Sequence, residues 1–256
     1  MTPILAFDIE TIPDIAGIRR LHGLPADLSD REVAEVAFQI RRTKTGNDFL
    51  PPQLHRVAVI SCVLRGDEGV KVFSLEGQEA EIIQRFYEGI EKFVPQLVSW
   101  NGGGFDLPVL NYRALIHGVT APMFWETGDE NRDFRYNNYI SRYHSRHLDL
   151  MDVLAMYQPR NNAPLDEVAQ LAGFPGKIGV GGARVWETWL AGDIAKIRDY
   201  CEADTANTYL LYLRYQLLRG VFTKDLFNKE IQLLRTCLQG LDKPHWREFL
   251  QLWNDS

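Results

Sequence analysis

Ile4-Leu5-Ala6-Phe7-Asp8-Ile9-Glu10 is an apolar segment near the start of the chain that carries two acidic side chains. Its aliphatic run predicts a buried β-strand that ends before Pro13, because proline cannot donate to a central ladder. Side chains two apart on a strand share a face, so Asp8 and Glu10 emerge side by side. Buried like charges repel, and a divalent cation that prefers carboxylate oxygens is their natural partner. A strand that ends at the surface would explain the same pair without a metal.

The next segments predict more strands of the same sheet. Residues 56–64 and 70–75 are strand-like and are joined by the turn at residues 66–69, which predicts an antiparallel start of three strands. Apolar residues at helical spacing across 78–93 predict a helix, and the run at 97–100 predicts a fourth strand.

The second half of the chain predicts mostly helices. A helix is predicted over 106–117, a short strand at 147–150, and helices from residue 165 onward, with a glycine-rich loop near the substrate at 177–184. This order is that of an α/β ribonuclease H-like fold, with a central mixed sheet flanked by helices. One domain over residues 1–256 is predicted, with a helical and loop insertion at about 14–55 and a helical C-terminal extension at about 221–256.

The bulk properties exclude several classes of protein. The chain has neither a run of about 18 apolar residues nor a signal-peptide layout, so no membrane partner and a cytoplasmic location are expected. Cys62, Cys201 and Cys237 are odd in number and lack a C-x-x-C spacing, which argues against a disulfide framework or a zinc knuckle. The net charge of −6 disfavours tight binding of long duplex DNA, but it is compatible with a groove that is locally basic.

Three further side chains extend the acidic pair. Asp106 follows the glycine-rich segment 101–105 at a predicted strand-to-helix junction, where an aspartate is also a favoured helix cap. Tyr200 and Asp204 are four apart on a predicted helix and share one face, as a structural tyrosine above a surface aspartate also would. Each feature alone has a structural explanation. Together, the acids and the tyrosine predict one converging site.

These motifs resemble the DEDD exonuclease superfamily in its tyrosine-bearing branch. Residues 7–11 match the first motif, residues 101–106 the second, and Tyr200 with Asp204 the third. More narrowly, the sequence is similar to stand-alone predicted exonucleases related to the proofreading domain of family B DNA polymerases. No polymerase domain is expected, because few residues follow the third motif.

The resemblance implies a 3′-5′ exonuclease that releases nucleoside monophosphates with two divalent metal ions, Mg²⁺ or Mn²⁺. It implies that Asp8 bridges both ions, that Glu10 and Asp204 complete the metal that activates water, and that Asp106 helps to hold the second metal. Tyr200 is implied to orient the attacking water. The residues implied to contact the terminal nucleotide are Ile9, Thr11, Ile12, Asn101 and Phe105.

The resemblance favours 3′ ends of single-stranded DNA as the substrate, in DNA repair or proofreading-like processing. A 3′-5′ exoribonuclease has the same acids, because recognition of the 2′-hydroxyl separates RNA from DNA. A non-catalytic nucleic-acid-binding module on this fold is a second alternative, although it would be expected to lack one of the acids. Two other acids, Asp149 and Asp152, are expected to cap a helix and support the substrate side.

Overall fold

The computed structural model describes residues 2–179 and 181–254; Met1, Val180 and the last two residues of the predicted C-terminal extension lie outside the described residues. The strands are Ile4–Pro13 (β1), His55–Gly66 (β2), Gly69–Leu75 (β3), Gln96–Ser99 (β4) and His147–Asp149 (β5). The α-helices are Ile15–His22 (α1), Asp30–Thr45 (α2), Glu79–Phe93 (α3), Asp106–His117 (α4), Pro122–Trp125 (α5), Leu150–Leu154 (α6), Leu165–Leu171 (α7), Val185–Leu190 (α8), Ile194–Leu218 (α9), Lys224–Leu241 (α10) and Pro244–Asn254 (α11).

The strands form one sheet in the order β3-β2-β1-β4-β5. β1 pairs antiparallel with β2 and parallel with β4, while β2 and β3 form an antiparallel hairpin around a two-residue turn. β4 and β5 are parallel. The α/β class and the mixed sheet with three antiparallel strands at its start are therefore confirmed. Within the described residues, no helix combines the length and apolarity needed to cross a membrane.

β1 is a central strand only at its beginning. Residues 4–6 pair with β4, whereas the strand beyond Ala6 pairs with β2 alone. β1 includes Pro13, which pairs with His55, so the prediction that the strand ends before the proline is wrong. The proline is tolerated because no second ladder needs its missing N–H there.

The two faces of β1 pack on different helices. Ala6 belongs to a core cluster with Ala203 and Ala206 of α9, whereas Phe7 belongs to a cluster with α3 and α4 and lies 5.2 Å from the ring of Phe86. Asp8 continues the face of Ala6, because side chains alternate along a strand. α9 is buried on almost every side between the sheet and the helices α7, α10 and α11. The strand therefore presents its acids to a buried helix.

The chain between α7 and α8 is not helical over most of its described length, so the loop predicted at 177–184 begins earlier than expected, directly after α7. Gly173, Gly176 and Gly179 have φ of 78°, 72° and 75°. This left-handed conformation suits glycine and ends a right-handed helix. The result is a loop that passes close to α9.

The helices α1 and α2 lie within the insertion predicted at residues 14–55, whose boundaries stay a prediction. They share a small core cluster that contains Ile18, Val33 and Leu50. α2 begins with a capping box between Ser29 and Glu32, which satisfies amides at its first turn. The segment after α2 returns to β2 and forms one wall of the cleft described below.

The C-terminal helices are tied to α9 by a buried acid. Glu202 is 1% exposed, and its carboxylate accepts hydrogen bonds from Lys243 at 2.9 and 3.1 Å. Nε2 of His245 lies 2.8 Å from the same carboxylate. Charged partners and hydrogen bonds compensate the burial of this acid. The connection holds the α10–α11 pair against the helix that carries Tyr200.

Candidate active site

The side chains predicted from three separate motifs come together between β1, α4 and α9. Asp8 and Glu10 lie on β1, Asp106 begins α4, and Tyr200 and Asp204 lie one turn apart on α9. Besides burial, the negative charges of Glu10, Asp106 and Asp204 raise the pKa of the Asp8 carboxyl. The charges of Asp8, Glu10 and Asp204 likewise add to the effect of burial in raising the pKa of the Tyr200 phenol. The structure therefore places all five in one cluster.

Asp106 is held by β1 and does not cap its own helix. Phe105 occupies the N-cap position of α4, and Asp106 is the first helical residue. Its Oδ1 accepts a hydrogen bond of 3.1 Å from the amide of Ile9. Burial nevertheless raises the pKa of Asp106 to about 7, although backbone hydrogen bonds oppose this shift. The carboxylate is thus part of the acidic cluster.

Asp149 shapes the turn that leads to Asp106. Its two carboxylate oxygens accept from the amides of Asn101 and Gly103, each at 2.9 Å, and it caps α6 through the amide of Asp152. Gly102 leaves no room for a side chain, because a Cβ there would lie 2.3 Å from Oγ of Ser99. The prediction that Asp149 caps a helix is confirmed, and its support of the substrate side stays a prediction.

The α9 side of the cluster contains a hydroxyl, a thiol and a carboxylate. Burial raises the pKa of Asp204 to about 6, and the nearby Tyr200 hydroxyl opposes this shift. Oδ1 of Asp204 is buried and has no hydrogen-bond partner among the described residues. Sγ of Cys201 lies 3.5 Å from Oδ2 of Asp8. Cys201 is three residues before Asp204, so helical spacing alone indicated its place on this face.

The charge of the cluster is strongly unfavourable without a counter-ion. Burial, followed by the neighbouring acids, raises the pKa of Asp8 and of Glu10 well above their ordinary values. The positive charge of Lys177 opposes this effect, because it lowers the pKa of Glu10 and of Asp204. Nζ of Lys177 lies 5.9 Å from the ring centroid of Tyr200. Lys177 begins the glycine-rich loop predicted near the substrate at 177–184, although the prediction assigned no role to its side chain.

The cluster fits divalent cations. Carboxylate oxygens are the ligands that hard cations prefer. Oδ1 of Asp204 is buried without a hydrogen-bond partner among the described residues, so it can serve as a ligand to such a cation. An oxygen of Asp8, an oxygen of Glu10 and the sulfur of Cys201 lie within 4.8 Å of one another. Metal binding would also remove the repulsion that raises the pKa values.

A cleft of about 530 Å³ adjoins the cluster. It is lined by Ile9, Glu10, Thr11, Pro13, Phe38, Asp48, Phe49, Leu50, His55, Phe105, Gly182, Val185, Trp186 and Glu187. Its size lies in the range of small-ligand sites. Phe49, His55 and Trp186 had no predicted role, because Phe49 lies in an irregular loop and no periodicity links it to residues near position 105.

The residues predicted to contact the terminal nucleotide lie in three different places. Ile9, Thr11 and Phe105 line the cleft. Ile12 is 2% exposed and belongs to a core cluster with Cys201, so its side chain packs in the interior and does not line the cleft. Asn101 is exposed at the start of the turn before α4, with a φ of 65°.

The fold and the acids define a nuclease of the DEDD type. The solved family B DNA polymerase of the archaeon Pyrobaculum calidifontis has a similar fold, with a TM-score of 0.50 and 18% sequence identity. The similarity covers 85% of this chain and 25% of that chain. The ribonuclease H-like fold predicted from the order of elements is therefore confirmed.

The chain belongs to the family of predicted 3′-5′ exonucleases related to the exonuclease domain of PolB, whose model matches residues 47–253. It is thus a 3′-5′ exonuclease by family, as the motifs implied. The matched part contains Asp106, Tyr200 and Asp204 and begins after β1, which carries Asp8 and Glu10.

Similar curated proteins are DNA polymerases. The chain is 25% identical over 238 residues to the DNA polymerase epsilon catalytic polypeptide of Emericella nidulans, a similarity that covers 80% of this chain and 10% of that protein. It is 25% identical over 163 residues to a DNA polymerase of Archaeoglobus fulgidus, a similarity that covers 62% of this chain and 20% of that protein. The chain therefore spans a tenth to a fifth of the length of these relatives.

Proposed function

We propose that this protein removes nucleotides stepwise from the 3′ ends of single-stranded DNA, with two divalent metal ions, Mg²⁺ or Mn²⁺. The observation that carries the proposal is the convergence of four carboxylates from β1, α4 and α9 beside an open cleft. The ligands are Asp8, Glu10, Asp106 and Asp204. The similarity to DNA polymerases supports DNA as the substrate.

Divalent metals bound by these acids would supply a nucleophilic water at neutral pH and stabilise charge on the leaving oxygen. Tyr200 stays protonated, because burial and the neighbouring acids raise the pKa of its phenol. Its hydroxyl is therefore a hydrogen-bonding group that orients water and is not a base. Lys177 offsets part of the negative field that an approaching phosphate meets.

Digestion of matched single-stranded DNA and RNA, each labelled at the 5′ end, tests this function. With Mg²⁺ or Mn²⁺, we expect DNA to shorten one nucleotide at a time from the 3′ end, and chelation by EDTA to stop the reaction. Asp8→Asn should abolish digestion, whereas Asp129→Asn, at an exposed acid outside the cluster, should retain it. The same preparation of protein serves both nucleic acids.

Each contrary result identifies a different error. Digestion that persists in Asp8→Asn would show that the acids do not hold the catalytic metals. A preference for RNA would favour an exoribonuclease, because the acids do not distinguish the two sugars. Metal-independent binding without digestion would favour a non-catalytic binding module on this fold.

A further inference from the structure

A short hydrogen-bonded chain runs from the cleft into the protein beside the carboxylates. Oγ1 of Thr11 lies 2.8 Å from Nδ1 of His55, and Nε2 of His55 lies 3.0 Å from the carbonyl oxygen of Leu50. Thr11 lies on the cleft wall next to Glu10, whereas His55 is only 7% exposed. Thr11 is only half-buried, so its hydroxyl is the member of this chain most accessible to a ligand.

The direction of each hydrogen bond follows from its partners. The carbonyl oxygen of Leu50 can only accept, so Nε2 of His55 must carry a hydrogen and donate it. The imidazole packs against the rings of both Phe49 and Phe105, with centroid distances of 5.1 and 5.0 Å, and burial lowers its pKa. A neutral imidazole that carries hydrogen on Nε2 presents a lone pair at Nδ1.

Thr11 must therefore donate its only hydroxyl hydrogen to His55. Once its hydrogen is engaged in this hydrogen bond, the hydroxyl oxygen still has lone pairs and can only accept a hydrogen bond from any further group. In the cleft, Oγ1 of Thr11 thus offers hydrogen-bond acceptance only. A ligand group that sits against it must bring a donor.

The charges of the cleft restrict that ligand group further. No Lys or Arg is among the residues that line the described part of the cleft; Glu10 belongs to the acidic cluster, and Asp48 and Glu187 are paired with Arg42 and Arg31. The remaining wall is largely apolar or aromatic, including Phe49, which is 55% exposed. An anionic group is disfavoured against such a wall, whereas a neutral sugar and base are suited to it. On the terminal nucleoside of a DNA strand, the neutral donor whose position does not depend on the base is the 3′-hydroxyl.

We propose that His55 is a positioning residue that fixes the Thr11 hydroxyl as an acceptor and thereby selects ends with a hydrogen-bond donor on the 3′ carbon. The inference rests on the proposed function, because it assigns the cleft to the terminal nucleoside of the substrate. A 3′-hydroxyl or 3′-amino group satisfies Thr11. A 3′-fluoro group, which has no hydrogen to donate, leaves it unpaired.

The test compares DNA strands that differ only in the terminal 3′ group: hydroxyl, amino or fluoro. The rate of removal of the first nucleotide is measured, because every later end carries a hydroxyl. For the unmodified protein, we expect kcat/KM to be roughly 3- to 10-fold higher for the two donor ends than for the fluoro end. Each ratio comes from one preparation, so a reduced fraction of folded protein does not change it.

Two substitutions should remove the preference by different routes. His55→Phe keeps a ring packed against Phe49 and Phe105 but frees the Thr11 hydroxyl to rotate and donate, so the preference should fall below about 2-fold. Thr11→Val removes the hydroxyl and should have the same effect. Thr11→Ser should keep the preference. Thr43→Val, at a threonine on the exposed side of α2, is the matched control and should keep it too.

The outcomes separate this inference from the proposed function. Metal-dependent digestion with equal rates for all three ends would overturn the inference and leave the proposed function standing. No digestion of any end would contradict the proposed function itself. If His55→Phe keeps the wild-type ratio of kcat/KM between the donor ends and the fluoro end, His55 does not determine whether the Thr11 hydroxyl donates or accepts. If His55→Phe does not fold, an unchanged ratio in Thr11→Val overturns the inference.

Discussion

The backbone amide of Ile9 donates a 3.1 Å hydrogen bond to Oδ1 of Asp106, 97 residues further along the chain. The bond lies where β1 has lost its second neighbouring strand, so the carboxylate takes the place of a ladder acceptor. It fixes the start of α4 against β1. One side chain therefore contributes both to the fold and to the charge of the site, and substitutions can separate the two contributions.

Asp106→Asn is expected to stabilise the metal-free protein while it removes activity. Asparagine keeps an oxygen for the Ile9 amide and removes a charge that the other acids repel. At pH 8 with chelator, we expect Tm to rise by about 2–6 °C and kcat/KM with Mg²⁺ to fall at least about 100-fold. Asp106→Ala also removes the oxygen that accepts from the Ile9 amide, so its Tm should rise by less than that of Asp106→Asn. A Tm below wild type for Asp106→Asn would contradict the repulsion.

Metal-free protein is expected to lose stability between about pH 5 and pH 8. Burial raises the pKa of Asp106 to about 7 and that of Asp204 to about 6. A raised folded-state pKa contributes stability that is complete below the unfolded pKa and is lost as the pH rises through the folded value. Tm measured in chelator should therefore fall across this window.

Added Mg²⁺ should reverse that loss. Because metal and protons compete for the same oxygens, the increase in Tm should be larger at pH 8 than at pH 5.5. Asp8→Asn should reduce the increase at pH 8, since Asp8 senses all the other acids of the cluster. An equal increase at both pH values would show that the metal binds elsewhere.

Tyr200→Phe is expected to lower the rate of chemistry while metal binding is largely kept. The substitution removes the hydroxyl near Asp204 and leaves the four carboxylates intact. The single-turnover rate should fall roughly 10- to 100-fold, with metal affinity by calorimetry within about 3-fold. Tyr215→Phe, on the same helix, serves as the control. An unaltered single-turnover rate would reject the water-orienting role.

Arg113→Met is expected to destabilise the fold by about 3–5 kcal/mol, because it removes the bidentate partner of the buried Glu79 carboxylate, which keeps only the Val57 amide, His117 and the more distant Arg56. Arg113 donates to both oxygens of Glu79 at 2.7 and 2.6 Å, and both residues are at most 5% exposed. Denaturant unfolding measures the loss. Arg247→Met, which breaks an exposed pair with Asp242, should cost no more than about 1 kcal/mol. Similar costs for both variants would contradict the importance of burial.

The acids of the site were predictable because local geometry determines their direction. Alternation along β1 set Asp8 and Glu10 on one face, and helical spacing set Tyr200 above Asp204. The bounds of α4 also agree with the predicted 106–117. Such features depend on residues close in sequence.

The wall of the cleft was not predictable in the same way. Phe49, His55 and Phe105 meet because α2 and its return to β2 bring an irregular loop beside the start of α4. No spacing in the sequence encodes that contact. The end of β1 was also misplaced, because the rule against proline in a central strand does not apply where one edge lacks a partner.

The unpaired edge of β1 beyond Ala6 also bears on solubility. An open strand edge is a template for pairing with another polypeptide, and natural proteins guard such edges with inward-pointing charges. Asp8 and Glu10 occupy that stretch of strand, and Asp106 already engages one of its amides. The charge of these acids, together with the burial of Ile9 and Ile12, disfavours pairing of this edge with another chain. We expect variants neutralised to trap a substrate to lose the contribution of charge together with their activity.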